Sequence, residues 1–178
     1  MALTWPVLNQ NQFTQSPVLG MLTFDPQPDT IPCQLSPSSA APSGTLTAGV
    51  AVKLVAYAGP QIIVDATLSA SDGPVYGVIQ YTKQKNIYVP GDQVNVAAKG
   101  NILHHWANSA INRGQRVSIT NPATTATPPA ADADTTAGHF TAGIALGQAP
   151  GQNAFFKLQI DPALNNTVSG SSFGSVSP

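Results

Sequence analysis

Between Thr45 and Ile160 the chain is cut into short runs of alternating apolar and polar residues, each ended by Gly, Pro or Asp. That punctuation leaves room for strands and for little else. Eight runs qualify, at 50–57, 62–67, 75–81, 92–98, 101–107, 115–120, 143–146 and 154–160, most of them rich in Val, Ile, Thr and Tyr. Ala58-Gly59-Pro60, Ser71-Asp72-Gly73-Pro74 and Ala149-Pro150-Gly151 supply turn chemistry between them. A helix is arguable only over 103–113, where His104, His105, Asn108, Ser109 and Asn112 give poor propensity, so this stretch is read as a strand followed by a turn. The expected fold is all-β, a small β-barrel or β-sandwich of about eight short strands.

The segment from Asn86 to Trp106 organises this pattern. Val94 and Val96 alternate with Gln93 and Asn95, and Ala98-Lys99-Gly100-Asn101 predicts a Gly-containing turn that returns the chain as a hairpin through Ile102 to Trp106. Gly49-Val-Ala-Val52, Gly91-Asp-Gln-Val94 and Gly114-Gln-Arg-Val117 repeat one motif, Gly-x-x-Val-x-aliphatic, which suits a Gly turn entering a strand. Their irregular spacing is unlike a solenoid period and equally fits coincidence in a chain rich in Gly and Val.

Residues 1–44 have a different texture. They hold seven of the sixteen prolines and only two charged side chains, Asp25 and Asp29. Proline removes a backbone donor and biases its predecessor to extended geometry, so an extended arm is expected. The arm carries Trp5, Leu8, Phe13, Leu19, Met21, Leu22, Phe24 and Ile31, more apolar surface than a free linker leaves in water. Two readings follow: the arm docks on another subunit or partner, or it packs against its own domain. The partner-binding residues expected are Trp5, Leu8, Phe13, Leu19, Leu22, Phe24 and Ile31. The organisation read from sequence is thus an arm at 1–44, a β domain at 45–161 and a Ser/Gly-rich tail at 162–178. Within the domain, 121–137 contains no large apolar side chain and is expected to be an exposed loop.

Function classes are narrowed mainly by what is missing. Charged residues make up 8% of the chain, Glu is absent, and the net charge is −1, so no field draws in nucleic acid or an anionic membrane. Low charge suits a protein whose surface is covered in an assembly. No apolar run approaches the roughly 20 residues that span a bilayer, and no signal peptide is expected. Cys33 is the only cysteine, which excludes an intramolecular disulfide. His104 and His105 are adjacent on a strand and point to opposite faces, with His139 far away in sequence, so no metal site is expected. Asp132 and Asp134 lack the further ligands of a calcium loop. No Ser lies in a nucleophile elbow and no carboxylate pair is marked by a motif, so neither catalysis nor a cofactor is expected.

A succession of short pieces adds a family resemblance: Gly77-Val-Ile-Gln, Tyr88-Val-Pro-Gly-Asp-Gln-Val-Asn-Val, Gly100-Asn-Ile, Ile111-Asn-Arg-Gly-Gln-Arg-Val, Ala142-Gly-Ile-Ala-Leu and Phe156-Lys-Leu-Gln-Ile. In this order they resemble the capsid cement, or decoration, proteins of tailed bacteriophages over 45–161, with arm and tail outside. The resemblance implies a non-catalytic virion protein on the outer surface of the head, often a homotrimer, that clamps neighbouring major capsid proteins. An alternative of another class is a carbohydrate-binding or host-attachment module, with Trp5, Trp106, Tyr57, Tyr76, Tyr81 and Tyr88 as a stacking platform.

Overall fold

The computed structural model describes residues 19–21, 30–38, 45–67, 72–82, 85, 87–121 and 129–165. All regular structure among them is β, in twelve strands: β1 Thr30–Leu35, β2 Leu46–Thr47, β3 Ala51–Ala58, β4 Gln61–Ala66, β5 Gly77–Ile79, β6 Ile87–Tyr88, β7 Gln93–Ala97, β8 Ile102–Trp106, β9 Arg116–Thr120, β10 Ala130–Ala133, β11 Phe140–Ala145 and β12 Phe155–Leu164. The eight runs read from the sequence are all present, as β3, β4, β5, β7, β8, β9, β11 and β12.

Five strands close a barrel in the order β1-β4-β3-β5-β7, and five more form a sheet in the order β10-β9-β11-β12-β8. Closure of the barrel depends on β1, which pairs antiparallel with β7 from Thr30↔Ala97 to Gln34↔Gln93 and parallel with β4 at Gln34↔Ile63 and Leu35↔Val64. The reading of 1–44 as a continuous arm is therefore corrected over Thr30–Leu35. Proline hid this strand, yet Pro32 lies in the half of β1 that pairs with β7 alone, where a missing donor leaves no gap on the β4 side. Short strands β2 and β6 pair at Leu46↔Tyr88 and Thr47↔Ile87.

The expected hairpin between β7 and β8 does not form. β7 pairs with β1 and β5 in the barrel, whereas β8 pairs with β12 from Phe155↔Trp106 to Gln159↔Ile102. The turn at Lys99-Gly100 is real, with Gly100 at φ +94 and its N–H bonded to the Ile160 carbonyl, but it hands the chain from one sheet to the other. Alternation specifies that a strand has a buried face; it does not specify the neighbour. The expected loop at 121–137 is also corrected, because Ala130–Ala133 is β10, paired with β9 from Ala130↔Thr120 to Ala133↔Val117. Ala131 is fully buried there, a small side chain in a tight site.

Two apolar cores result, and they share a wall. Cys33, Leu35, Val52, Val64, Ile79, Val94 and Val96 fill the barrel. Leu103, Ile111, Val117, Phe156, Leu158 and Ile160 fill the space under the second sheet, joined by Ala51, Val78 and Ala97. The last three alternate with Val52, Ile79 and Val96 along β3, β5 and β7, so one face of each strand lines the barrel and the other covers the second sheet. The edges of that second sheet approach one another through the parallel bridge Ala107↔Ala131 and the Asn108 N–H to Ala131 carbonyl bond of 2.8 Å.

Candidate interaction surface

The barrel leaves one hairpin exposed. Along β3 the first two residues are buried and Leu54 to Ala58 are exposed, while Gln61, Ile62 and Ile63 opposite them on β4 are half-buried. Gly59, in the left-handed conformation at φ +62, and Pro60 form the turn. Leu54, Val55 and Tyr57 are 38%, 50% and 66% exposed and lie together on this tip; Ile87, Val89 and Leu164 are the other exposed large hydrophobic residues described. No charged side chain occurs from Leu54 to Val64. The register shifts between Leu54 and Ala56, a bulge at Val55 that interrupts the β3–β4 ladder.

The outer edge of this hairpin is open. β5 covers β3 only at Ala51↔Val78 and Val52↔Gly77, and the Tyr76 N–H to Val52 carbonyl bond of 2.7 Å ends the contact. Beyond Val52 no strand among the described residues pairs with that edge. A cleft of about 360 Å³ opens where β5 and β3 part, lined by Leu54, Gly73, Pro74, Val75 and Tyr76 and by the charged side chains Lys53 and Asp72. Such an apolar edge with an adjoining side-chain pocket is suited to receive an extended segment by strand addition.

A second feature lies where the N-terminal arm meets the body. Gly20 donates its N–H to the His104 carbonyl at 2.9 Å and accepts from the Tyr81 N–H at 3.0 Å, while the His104 N–H reaches the Met21 carbonyl at 2.8 Å. Leu19 covers Gly49, where an added Cβ would lie 2.5 Å from the leucine Cγ. Residues 19–21 are thus bonded to β8 on one side and to the chain just after β5 on the other. Of the seven expected partner-binding residues, Leu19 is half-buried on this seat and Ile31 is half-buried against the barrel core. Trp5, Leu8, Phe13, Leu22 and Phe24 lie outside the described residues.

The histidines and aspartates make structural contacts. His105 is fully buried, with Nε2 2.9 Å from the Gly49 carbonyl and Nδ1 3.0 Å from the Trp106 carbonyl. Burial holds its imidazole below the ordinary histidine range, against an upward pull from those two hydrogen bonds. His104, on the opposite face as expected, is half-buried and also lowered, first by burial and then by the Lys157 charge. Asp132 accepts from Ser109 Oγ at 2.7 Å and Asn108 Nδ2 at 3.2 Å, and Asp134 accepts from the Thr136 N–H at 2.9 Å and lies 3.1 Å from His139 Nδ1. Among the described residues no cluster of His, Cys, Asp or Glu could hold a metal ion. Of the aromatic residues, Tyr88 is buried in the barrel, Tyr57 stands on the hairpin with Tyr76 in the adjoining cleft, Trp106 packs edge-on to Phe155 at 5.3 Å between ring centres, and Trp5 lies outside the described residues.

A family comparison gives this surface a context. Residues 9–161 match the family described as structural cement protein (E217 gp24/Pam3 gp6). The chain belongs to this phage cement protein family. It is a structural protein of the phage capsid, located on the capsid surface, and not an enzyme. No curated protein matches the chain. The family match begins at residue 9, so it also takes in most of the arm, which the resemblance read from sequence had left outside. Sequence reasoning missed the exposed hairpin because Leu54 to Ala58 is a continuous apolar run, which reads as a buried strand; its lack of charge was no signal, since 30–52 and 135–156 are longer uncharged stretches.

Proposed function

We propose that this cement protein clamps neighbouring major capsid proteins on the outside of the head, with its body assembled as a homotrimer and its N-terminal arm as the docking element. The observation that carries this reading is the seat at residues 19–21. It ties residues 19–21 to the body, and ahead of it in the sequence lie eighteen residues with no charged side chain that include Trp5, Leu8 and Phe13. Apolar side chains in an uncharged segment favour a protein surface over water. Repetition over a shell turns many modest contacts into strong retention.

Deletion of residues 1–18 tests the reading, and the deletion must stop there because Thr30–Leu35 closes the barrel. Occupancy on purified heads is expected to fall at least about tenfold at equal protein concentration, equivalent to roughly 1.4 kcal/mol per contact. Undiminished occupancy by the folded, truncated protein would remove the arm from the mechanism.

A further inference from the structure

We propose that the seat of residues 19–21, at the base of the arm, is an acid-sensitive latch, closed at neutral pH over the bond between His105 and Gly49 and opened by acid while the barrel stays closed. The inference deepens the docking role given to the arm and rests on that reading only for its consequence, a pH control over the arm's base. Three layers make the latch. Leu19 is outermost, and the three atoms nearest an added Cβ on Gly49 all belong to it, the closest at 2.5 Å. Gly49, left-handed at φ +86, is the middle layer, with its N–H bonded to the Ile79 carbonyl at 2.8 Å. His105 is innermost and fully buried, its Nε2 lying 2.9 Å from the Gly49 carbonyl. Gly20 seats as tightly as Leu19, since an added Cβ there would lie 2.9 Å from both the Gly49 nitrogen and the Ile79 carbonyl oxygen. Withdrawing residues 19–21 uncovers Gly49 and admits water to the ring behind it. It breaks the backbone bonds of Gly20 to His104 and Tyr81 and of Met21 to His104, none of which is a barrel pairing.

The chemistry of the ring sets the direction. Carbonyls only accept, so His105 could serve Gly49 and Trp106 together only with two protons, yet burial keeps it at one. No carboxylate stands by to hold the second charge. Residues 19–21 and 47–50 bring no titratable side chain to the site, β12 brings Phe156 against the ring and Lys157 opposite His104, the chain after β5 brings Tyr81, and β8 itself brings His104 on its other face. Once the latch opens, the ring meets water and regains the ordinary histidine range near 6.5. The closed state therefore keeps its full advantage above about pH 6.5 and loses it, by up to about tenfold per pH unit, as pH falls toward the ring's lower closed-state value. The latch yields before the barrel because a few bonds hold it, whereas every barrel strand is paired on both sides.

Amide hydrogen exchange of the full-length protein, followed by NMR from pH 7.5 to 5.0 and corrected for the intrinsic rate at each pH, tests the latch. The Gly20, Tyr81 and His104 amides are expected to lose about tenfold or more of their protection below pH 6.5, while amides of β1 and β7, which report the barrel, exchange more slowly throughout. His105→Gln keeps a side-chain donor for Gly49 but does not titrate, so it should retain the latch at pH 7.5 and flatten its pH dependence; His104→Gln should keep that dependence. A second measurement does not depend on either variant folding well. In Leu19→Ala the His105 ring loses its cover, and its titration, read from the ring resonances, should rise toward the ordinary value. Protection that is flat with pH in the wild type overturns the proposal. So does a pH dependence that survives His105→Gln, latch and barrel amides that exchange together at every pH, or a His105 titration that Leu19→Ala leaves unmoved. All of these readouts use the free protein, so their failure overturns the latch and leaves the docking role to the head-occupancy test above.

Discussion

His105 and Asn121 join the two halves of the molecule with buried polar groups. Asn121 follows β9, and its side-chain amide pairs with the backbone of Ala51 in β3, Oδ1 accepting from the N–H at 3.1 Å and Nδ2 donating to the carbonyl at 2.9 Å, with a further short bond to the Thr67 carbonyl. Asn121→Ala leaves the Ala51 N–H without that acceptor, and the expected loss is about 2 kcal/mol in a urea unfolding titration. His105 gives a pH dependence whose sign follows from its lowered folded pKa. The unfolded chain takes up a proton below about pH 6.5 while the buried ring does not, so stability is full above that pH and declines as pH falls toward the folded value. His104 adds in the same sense. Urea midpoints measured from pH 7.5 downward should show the decline, and His105→Gln should flatten part of it. Neither residue announced this role in the sequence. A buried histidine in an alternating strand was readable as core, but its contact with Gly49, fifty-six residues away, is a product of two sheets meeting.

Single elements carry both the legible and the illegible parts of the fold. Eight strands were visible because each alternates over a half-buried face, and this property is local. β1, β2, β6 and β10 were not. β1 contains Pro32, β2 and β6 are two residues long, and β10 is Ala-Ala-Asp-Ala, with no side chain large enough to signal burial. Pairing was less legible still, as the separation of β7 from β8 shows, since partners are chosen by the whole set of strands. Within β11 the bulge between Thr141 and Gly143 presses residue 143 against the backbone of β12, where an added Cβ would overlap the Gln159 carbonyl. Gly143→Ala should therefore destabilise the second sheet by about 3 kcal/mol, read as a drop in thermal midpoint. Tyr57→Lys on the β3–β4 hairpin should behave oppositely. Its side chain is 66% exposed, so stability should change by no more than about 0.5 kcal/mol. Head occupancy should nevertheless fall if the exposed hairpin contributes to attachment.

On the scale of the whole molecule, the wall formed by β3, β5 and β7 makes the two cores one cooperative body, because losing either core exposes the back of the other. Cys33 reports on this. The thiol is fully buried in the barrel, and burial pushes its pKa up to about 11, so it should react with thiol reagents at pH 8 only as fast as the barrel opens. Labelling rates over a urea series should then follow global unfolding and not a separate, earlier step. The family, and with it the capsid, was legible because a succession of short turn and strand motifs survives in the sequence. The exposed hairpin was not, because exposure is decided only after the barrel closes. The uncharged hairpin has a last consequence in the solvent. Sodium chloride screens ions and leaves an apolar edge untouched, sulfate strengthens apolar burial, and urea weakens it by solvating both side chains and peptide groups. Contacts made through Leu54 to Ala58 should thus persist through a high-salt wash, tighten in ammonium sulfate and release in urea below the unfolding midpoint.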